Sequence, residues 1–374
     1  MNQEVGDAEV GACVPNAERA HDPNGTACRP EAPPFVTADL PGVGGRIGDA
    51  LEDFRVDEIP AYTPSGSGEH WYVRVEKRGV TTPDLVRAIA RTAGVAERDI
   101  GYAGLKDRHG VTTQWLSLPA RAKAPELWEL PNEARVLDVS RHGNKLRTGH
   151  LLGNRFRIVL VDVPPGGEQR AQAVVARLAE RGLPNAFGAQ RFGRDGDNLG
   201  RALAWLSGGG RARLSAFLYK LYPSVVQAEI FNRYLTLRGA EGFDRTLPGE
   251  VVRLEGSQAT FVVEDAERET RRLLERDIHL TGPIWGPKMR KPRGRPLEIE
   301  ERVLADLGVT EPMLEALGRS APGARRDLVV PVRDLVLTPL VPDRLVLEFS
   351  LPAGSYATVL VRELTRKDST AFAG

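Results

Sequence analysis

A chain of 374 residues with 41% hydrophobic and 27% charged side chains has the make-up of a soluble globular protein. It is long enough for two compact domains, or for one domain carrying a large insertion. No apolar run could span a bilayer and no basic-then-apolar signal opens the chain, so a cytoplasmic protein without membrane contact is expected. Cysteines occur only at Cys13 and Cys28, which excludes a disulfide-built core, and six scattered histidines show no metal-ligand spacing, so no metal is expected.

The net charge of +1 hides an asymmetry. Residues 1–34 are acidic, rich in Pro, Gly and Ala, and without apolar periodicity. They read as a disordered acidic leader outside the fold. Two later stretches are purely basic: 141–160, with Arg141, Lys145, Arg147, Arg155 and Arg157, and 288–295, with Lys288, Arg290, Lys291, Arg293 and Arg295. Such patches on a nearly neutral chain suit a polyanion that is gripped and released, although charge runs alone more often mark solvated loops.

Folded structure is expected from about Phe35. The glycines at 42, 44, 45 and 48 do not fit a dinucleotide fingerprint, because no strand precedes them and no helix follows. A strand over His70–Val75 leads to a helix that Thr82 caps, with Pro83 in its first turn and Gly94 as its stop. From Gly101 to Leu118 the chain reads as strand, polar turn and strand. The turn Lys106-Asp107-Arg108-His109-Gly110 holds one carboxylate between two cations. Taken alone, this is more often a solvated ion-pair turn than a catalytic site. Strands follow at Val136–Val139 and Asn154–Val163, the second alternating Phe156, Ile158 and Leu160 against Arg155, Arg157 and Val159. A helix over Glu168–Glu180 is closed by Gly182.

After Pro184 the sequence turns mainly helical: Asn198–Leu206, Leu214–Leu237 (with Pro223 expected to start, kink or divide it), Ala266–Arg276 and Pro296–Leu317. One short β segment lies near Phe261. β-prone sequence returns at Leu328–Leu337 and Arg344–Leu351, before a final helix Tyr356–Leu364. Strand-rich ends around a helical middle predict an α+β fold with a mixed or antiparallel sheet, interrupted by a mainly helical insertion. The expected domains are 35–180 with 325–374, and the insertion 181–324.

Six separated blocks, in order over roughly residues 40 to 365, resemble the TruD family of tRNA pseudouridine synthases. They are Asp53-Phe54-Arg55-Val56-Asp57-Glu58, GYAGLKDRHGVTTQW from Gly101, LLGNRF from Leu151, PNAFGAQRFG from Pro184, Thr281-Gly282-Pro283, and FSLPAGSYAT from Phe349. The resemblance implies isomerisation of uridine, usually uridine 13 of tRNA, to pseudouridine without a cofactor. It implies tRNA as the partner, and a pseudouridine synthase-type catalytic domain split by a family-specific insertion; a monomer is expected. The family's catalytic aspartate falls on Asp107, and its uridine-contacting positions on Phe54, Asn154 and Tyr356, the last often Phe in the family. Phe156 stands where other pseudouridine synthase families place Tyr.

The chemistry asks for an ionised carboxylate beside the ribose and a pocket that holds the uracil while it turns. Asp107 supplies the first. Lys106 or Arg108 could keep it ionised, or a partner could come from elsewhere. Asn154 and Phe156, two apart on one strand, face the same side, one to hydrogen-bond and one to stack. Phosphate contacts are expected from Lys106, Arg108, Arg191 with the neighbouring Arg194, and the 288–295 segment. Family members carry a Lys and a Pro where this chain has Gly48 and Leu51, and Arg46 is the nearest substitute. Two other readings compete: a non-catalytic RNA-binding or RNA-folding protein on the same scaffold, and a glycosidase using Asp57 or Glu58 as a second carboxylate.

Overall fold

The computed structural model describes residues 30, 32–33, 35–193, 196–208, 213–315, 317–341 and 343–367. The leader expected over 1–34, with Cys13 and Cys28, therefore falls almost wholly outside the described residues, as does Arg194. The described residues divide into two compact units, one of 35–185 with 330–367, the other of 186–329. Both boundaries lie a few residues C-terminal to those expected.

The first unit opens with β1 (Arg46–Ile47), β2 (Phe54–Pro60), β3 (His70–Arg78), α1 (Thr82–Ala93), β4 (Gly101–Tyr102), β5 (Val111–Pro119), β6 (Ala134–His142), β7 (Leu151–Val161), α2 (Gly167–Arg181) and β8 (Leu183–Pro184). The second holds α3 (Asn198–Ser207), α4 (Ala216–Gly239), β9 (Val251–Leu254), β10 (Thr260–Val262), α5 (Ala266–Leu274), β11 (Ile278–Ile284), α6 (Arg295–Asp306), α7 (Glu311–Glu315) and β12 (Ala324–Asp327). After β13 (Val329–Val330), the chain returns to the first unit with β14 (Arg333–Val341), β15 (Arg344–Pro352) and α8 (Ala357–Thr365).

The large sheet of the first unit runs β14-β15-β7-β2-β5-β3-β6, with β1 beside β7 and β4 beside β5. It is mixed: β2 and β5 are parallel and the other pairs antiparallel. This bears out the α+β class. Strand alternation sets one part of the core, where Val73, Val75, Leu116 and Leu118 pack with Leu85, Val86 and Ile89 of α1. On the central strands Phe54, Val56 and Glu58 stand opposite Ile158, Phe156 and Asn154, and Phe349 stands opposite Phe156.

Three local expectations change. The α1 cap is Thr81, whose Oγ1 accepts from the Asp84 amide at 3.2 Å, while Thr82 is buried and used elsewhere. β3 extends beyond Val75 through Glu76, Lys77 and Arg78, because Glu76 and Lys77 are buried rather than solvated. The helix expected over Pro296–Leu317 breaks between α6 and α7, where Gly308 takes φ +63°. α4, by contrast, is assigned as one helix through Pro223.

The second unit is not helical throughout: β10-β9-β11-β12 form a four-stranded antiparallel sheet, of which the sequence showed one segment. Its Thr281-Gly282-Pro283 block lies on β11. A Cβ at Gly282 would stand 2.8 Å from Leu328 and 2.9 Å from Phe231, so this block serves packing.

Candidate active site

Asp107 sits in the loop between β4 and β5. That loop is longer than the turn expected, since β4 ends at Tyr102 and residues 103–110 connect the strands. It closes at Gly110, whose φ of +145° brings the position of a Cβ to 2.5 Å from the Phe54 carbonyl oxygen. Only glycine allows the return beneath β2. Two buried side chains then pin the loop backbone. The Lys106 amide donates to Thr82 Oγ1 (3.0 Å), which itself donates to Gln114 Oε1 (2.8 Å). From β3, Lys77 Nζ donates to the carbonyls of Val80 (2.7 Å), Lys106 (3.3 Å) and Asp107 (2.7 Å). An ammonium has three donors, and here all three grip backbone.

Sequence reading missed Lys77. In the charged run Glu76-Lys77-Arg78 it reads as surface, yet it is fully buried. Burial pushes its ammonium down to about 8, against the pull of Asp107 and with the repulsion of Lys106. Burial likewise raises the Asp107 carboxyl above the ordinary aspartate value, and Lys77 and Lys106 oppose that rise. Asp107 is half-buried, and no side chain among the described residues hydrogen-bonds its carboxylate. The group sits on a backbone held by Lys77 and is faced by cations, and the hydrogen bond its carboxylate receives comes from its own backbone amide. Arg108 is exposed, its Nε donating to the Gly79 carbonyl (3.3 Å).

Lys106, expected among the phosphate-gripping cations, turns inward. Its ammonium lies 3.0 Å from Glu58 Oε2, both side chains almost wholly buried, and donates to Asn154 Oδ1 at 2.7 Å. Glu58 Oε1 also accepts from the Trp115 amide (3.1 Å). Asp57 accepts from Thr113 Oγ1 (2.8 Å) and lies 3.7 Å from Arg74. Neither carboxylate is thus available as the second acid of a glycosidase pair. Arg46 is engaged at the surface with Asp49 and Asp162, each at 2.8 Å.

The aromatic residues divide. Phe156 is 5% exposed, stacked on Phe349 at 5.2 Å between ring centres and tilted against Phe54 at 6.4 Å. Phe54, 4% exposed, and Phe156 are both buried rings on neighbouring strands. Tyr356 is half-buried at the N-cap of α8. Phe156→Ala should therefore act first on stability, by about 3–5 kcal/mol, read as a lower melting midpoint. Tyr356→Phe should leave single-turnover rates nearly unchanged. Equal losses from Tyr356→Phe and Tyr356→Ala would give the hydroxyl a chemical role.

In the second unit, the cations of 288–295 are all exposed but unequally engaged. Arg290 donates to the Thr260 carbonyl, Lys291 pairs with Glu311 (2.7 Å), and Arg295 with Glu241 (3.1 Å) and Glu298 (3.4 Å). Lys288 and Arg293 carry no ion pair among the described residues. Arg191 places its guanidinium 5.6 Å from the Phe187 ring centre, in a turn whose Phe187 amide and carbonyl are both bonded by the Asn232 carboxamide.

The first unit thus combines a mixed sheet with a half-buried carboxylate on a loop whose backbone is pinned by buried side chains. The family model of tRNA pseudouridine synthase D (TruD) matches residues 34–203 and 208–364. A tRNA pseudouridine synthase D of an Anaeromyxobacter species is 48% identical over 340 residues, covering 89% of this chain and 96% of that one. One of Thermus thermophilus is 43% identical over 343 residues, covering 91% and 94%. A crystal structure of a protein assigned as tRNA pseudouridine synthase D from Methanosarcina mazei superposes with a TM-score of 0.68 at 25% identity, covering 88% and 95%. This chain belongs to the TruD family and is a pseudouridine synthase, an isomerase.

Proposed function

We propose that the protein converts uridine 13 of tRNA to pseudouridine, with Asp107 as the catalytic carboxylate. The observation that carries this reading is the half-buried carboxylate of Asp107, bonded by no side chain among the described residues, on a backbone that Lys77 and Thr82 immobilise. In the reaction the C1′–N1 bond breaks and the uracil turns. A C1′–C5 bond then forms, the C5 hydrogen leaves as a proton, and N1 takes one up, so nothing is oxidised or reduced. Asp107 acts at the ribose, and Asn154 and Tyr356 contact the nucleoside. No cofactor is required, and tRNA is the partner of a cytoplasmic monomer. The first unit is the catalytic domain and the second the inserted one.

The base must leave its stack to reach Asp107, at a cost of a few kcal/mol, which phosphate contacts offset. Lys288 and Arg293, the cations of their segment without ion pairs, are the strongest candidates for those contacts. Replacing both by Gln should flatten the slope of log affinity against log salt by about 1.4–1.8, while turnover at saturating tRNA stays near wild type. An unchanged slope would make the segment a solvated loop.

The activity itself is tested by incubating unmodified tRNA with the protein and measuring pseudouridine. Its absence would leave RNA binding without catalysis as the function.

A further inference from the structure

We propose that the buried Glu58–Lys106 pair fixes the polarity of the Asn154 carboxamide, so that Asn154 offers the substrate N–H donors only and selects uracil over cytosine. This rests on the reading of the site as one that isomerises uridine. The two ends of a carboxamide differ only in hydrogen-bonding sense. An ammonium can only donate, so the Asn154 atom 2.7 Å from Lys106 Nζ must be Oδ1; the flipped amide would set N–H against N–H. Lys106 itself cannot turn away. Glu58 holds it at 3.0 Å with side-chain exposures of 5% and 1%, the Trp115 amide holds Glu58, and Thr82 holds the Lys106 backbone. The register sets Glu58 directly opposite Asn154 across β2 and β7, so the device is built into the sheet. Asn154 is half-buried, and no acceptor among the described residues meets its Nδ2.

A donor-only contact suits this isomerisation for a reason that lies in the base. Turning uracil by half a revolution about its N3–C6 line exchanges N1 with C5, and it also exchanges the two carbonyl groups. A donor placed at one carbonyl therefore meets a carbonyl both before and after the turn. With the donor at the C4 carbonyl of the bound uridine, cytosine would present its amino group there on binding, donor against donor, which leaves buried polar groups unpaired. Glu58 and Lys106 are in this account positioning residues, acting through Asn154.

The test compares the affinity of tRNA carrying uridine or cytidine at the target position, in the Asp107→Asn background so that neither is consumed. The cytidine tRNA should bind about tenfold more weakly. Lys106→Met, which frees the amide to flip, should bring that ratio close to one, and Lys106→Arg, which keeps a donor, should retain it. Should Lys106→Met fail to fold, Glu58→Gln combined with Lys106→Met removes both charges together and should also bring the ratio close to one. If the neutralised variants weakened both tRNAs equally and left the ratio intact, the pair would be structural only and the proposal wrong. Pseudouridine formation by the unsubstituted protein, measured alongside, separates that failure from a failure of the functional reading.

Discussion

Asp107→Asn is expected to lower single-turnover pseudouridine formation by about 10³-fold or more while leaving the fold and most tRNA affinity in place. The amide keeps the shape of the side chain and removes its charge. The same substitution should raise stability at neutral pH. Burial lifts the carboxyl above its ordinary value in the folded chain, so the folded state binds the proton more tightly than the unfolded one. Stability is then lost as pH rises from the unfolded value through the folded one. Asn carries no such penalty, and the melting midpoint at neutral pH should rise. A dead but more stable variant is the signature of a carboxylate held for chemistry. Substantial turnover by Asp107→Asn would remove Asp107 from the reaction.

Lys77→Met should be the next most damaging change. It deprives the carbonyls of Val80, Lys106 and Asp107 of their shared donor. Unsatisfied buried acceptors of this kind cost about 1–3 kcal/mol each. A loop displaced by about 1 Å would lower turnover on the order of 10²-fold. The pH profile gives a sharper readout. If the proposed mechanism holds, activity needs Asp107 ionised and Lys77 protonated, so the rate should rise above the ordinary aspartate range and fall again near pH 8, where Lys77 titrates. Between about 8 and the ordinary lysine value of about 10.4 the unfolded chain binds a proton that the folded chain does not. The contribution of Lys77 to stability therefore improves with pH over that window, and the alkaline loss of activity should come without unfolding. Lys77→Met should lack the alkaline limb. If it turned over at the wild-type rate with the same limb, the clamp would be irrelevant to catalysis.

What was legible in the sequence followed from periodicity and punctuation. The alternation of Phe156, Ile158 and Leu160 placed β7, and Gly94 and Gly182 marked the ends of α1 and α2. The site was legible as a carboxylate in a polar loop, but not in the way that loop is held. Lys77 and Lys106 look like surface cations in charged runs, and only the packing of β3 and β2 turns them inward, one onto carbonyls and one onto Glu58. Thr82 looked like a cap because it precedes Pro83, whereas its hydroxyl serves the Asp107 loop and Thr81 caps the helix. The small sheet of the second unit escaped notice because its strands are short and β11 carries Gly282 and Pro283, which in isolation argue for a turn.

The most direct test of the central claim is nucleotide-resolution mapping of pseudouridine in full-length unmodified tRNA after incubation with the purified protein, with no metal or cofactor added. Complete conversion at uridine 13, and none with Asp107→Asn, is the predicted result. No pseudouridine with the unsubstituted protein, or equal conversion by both, would contradict it.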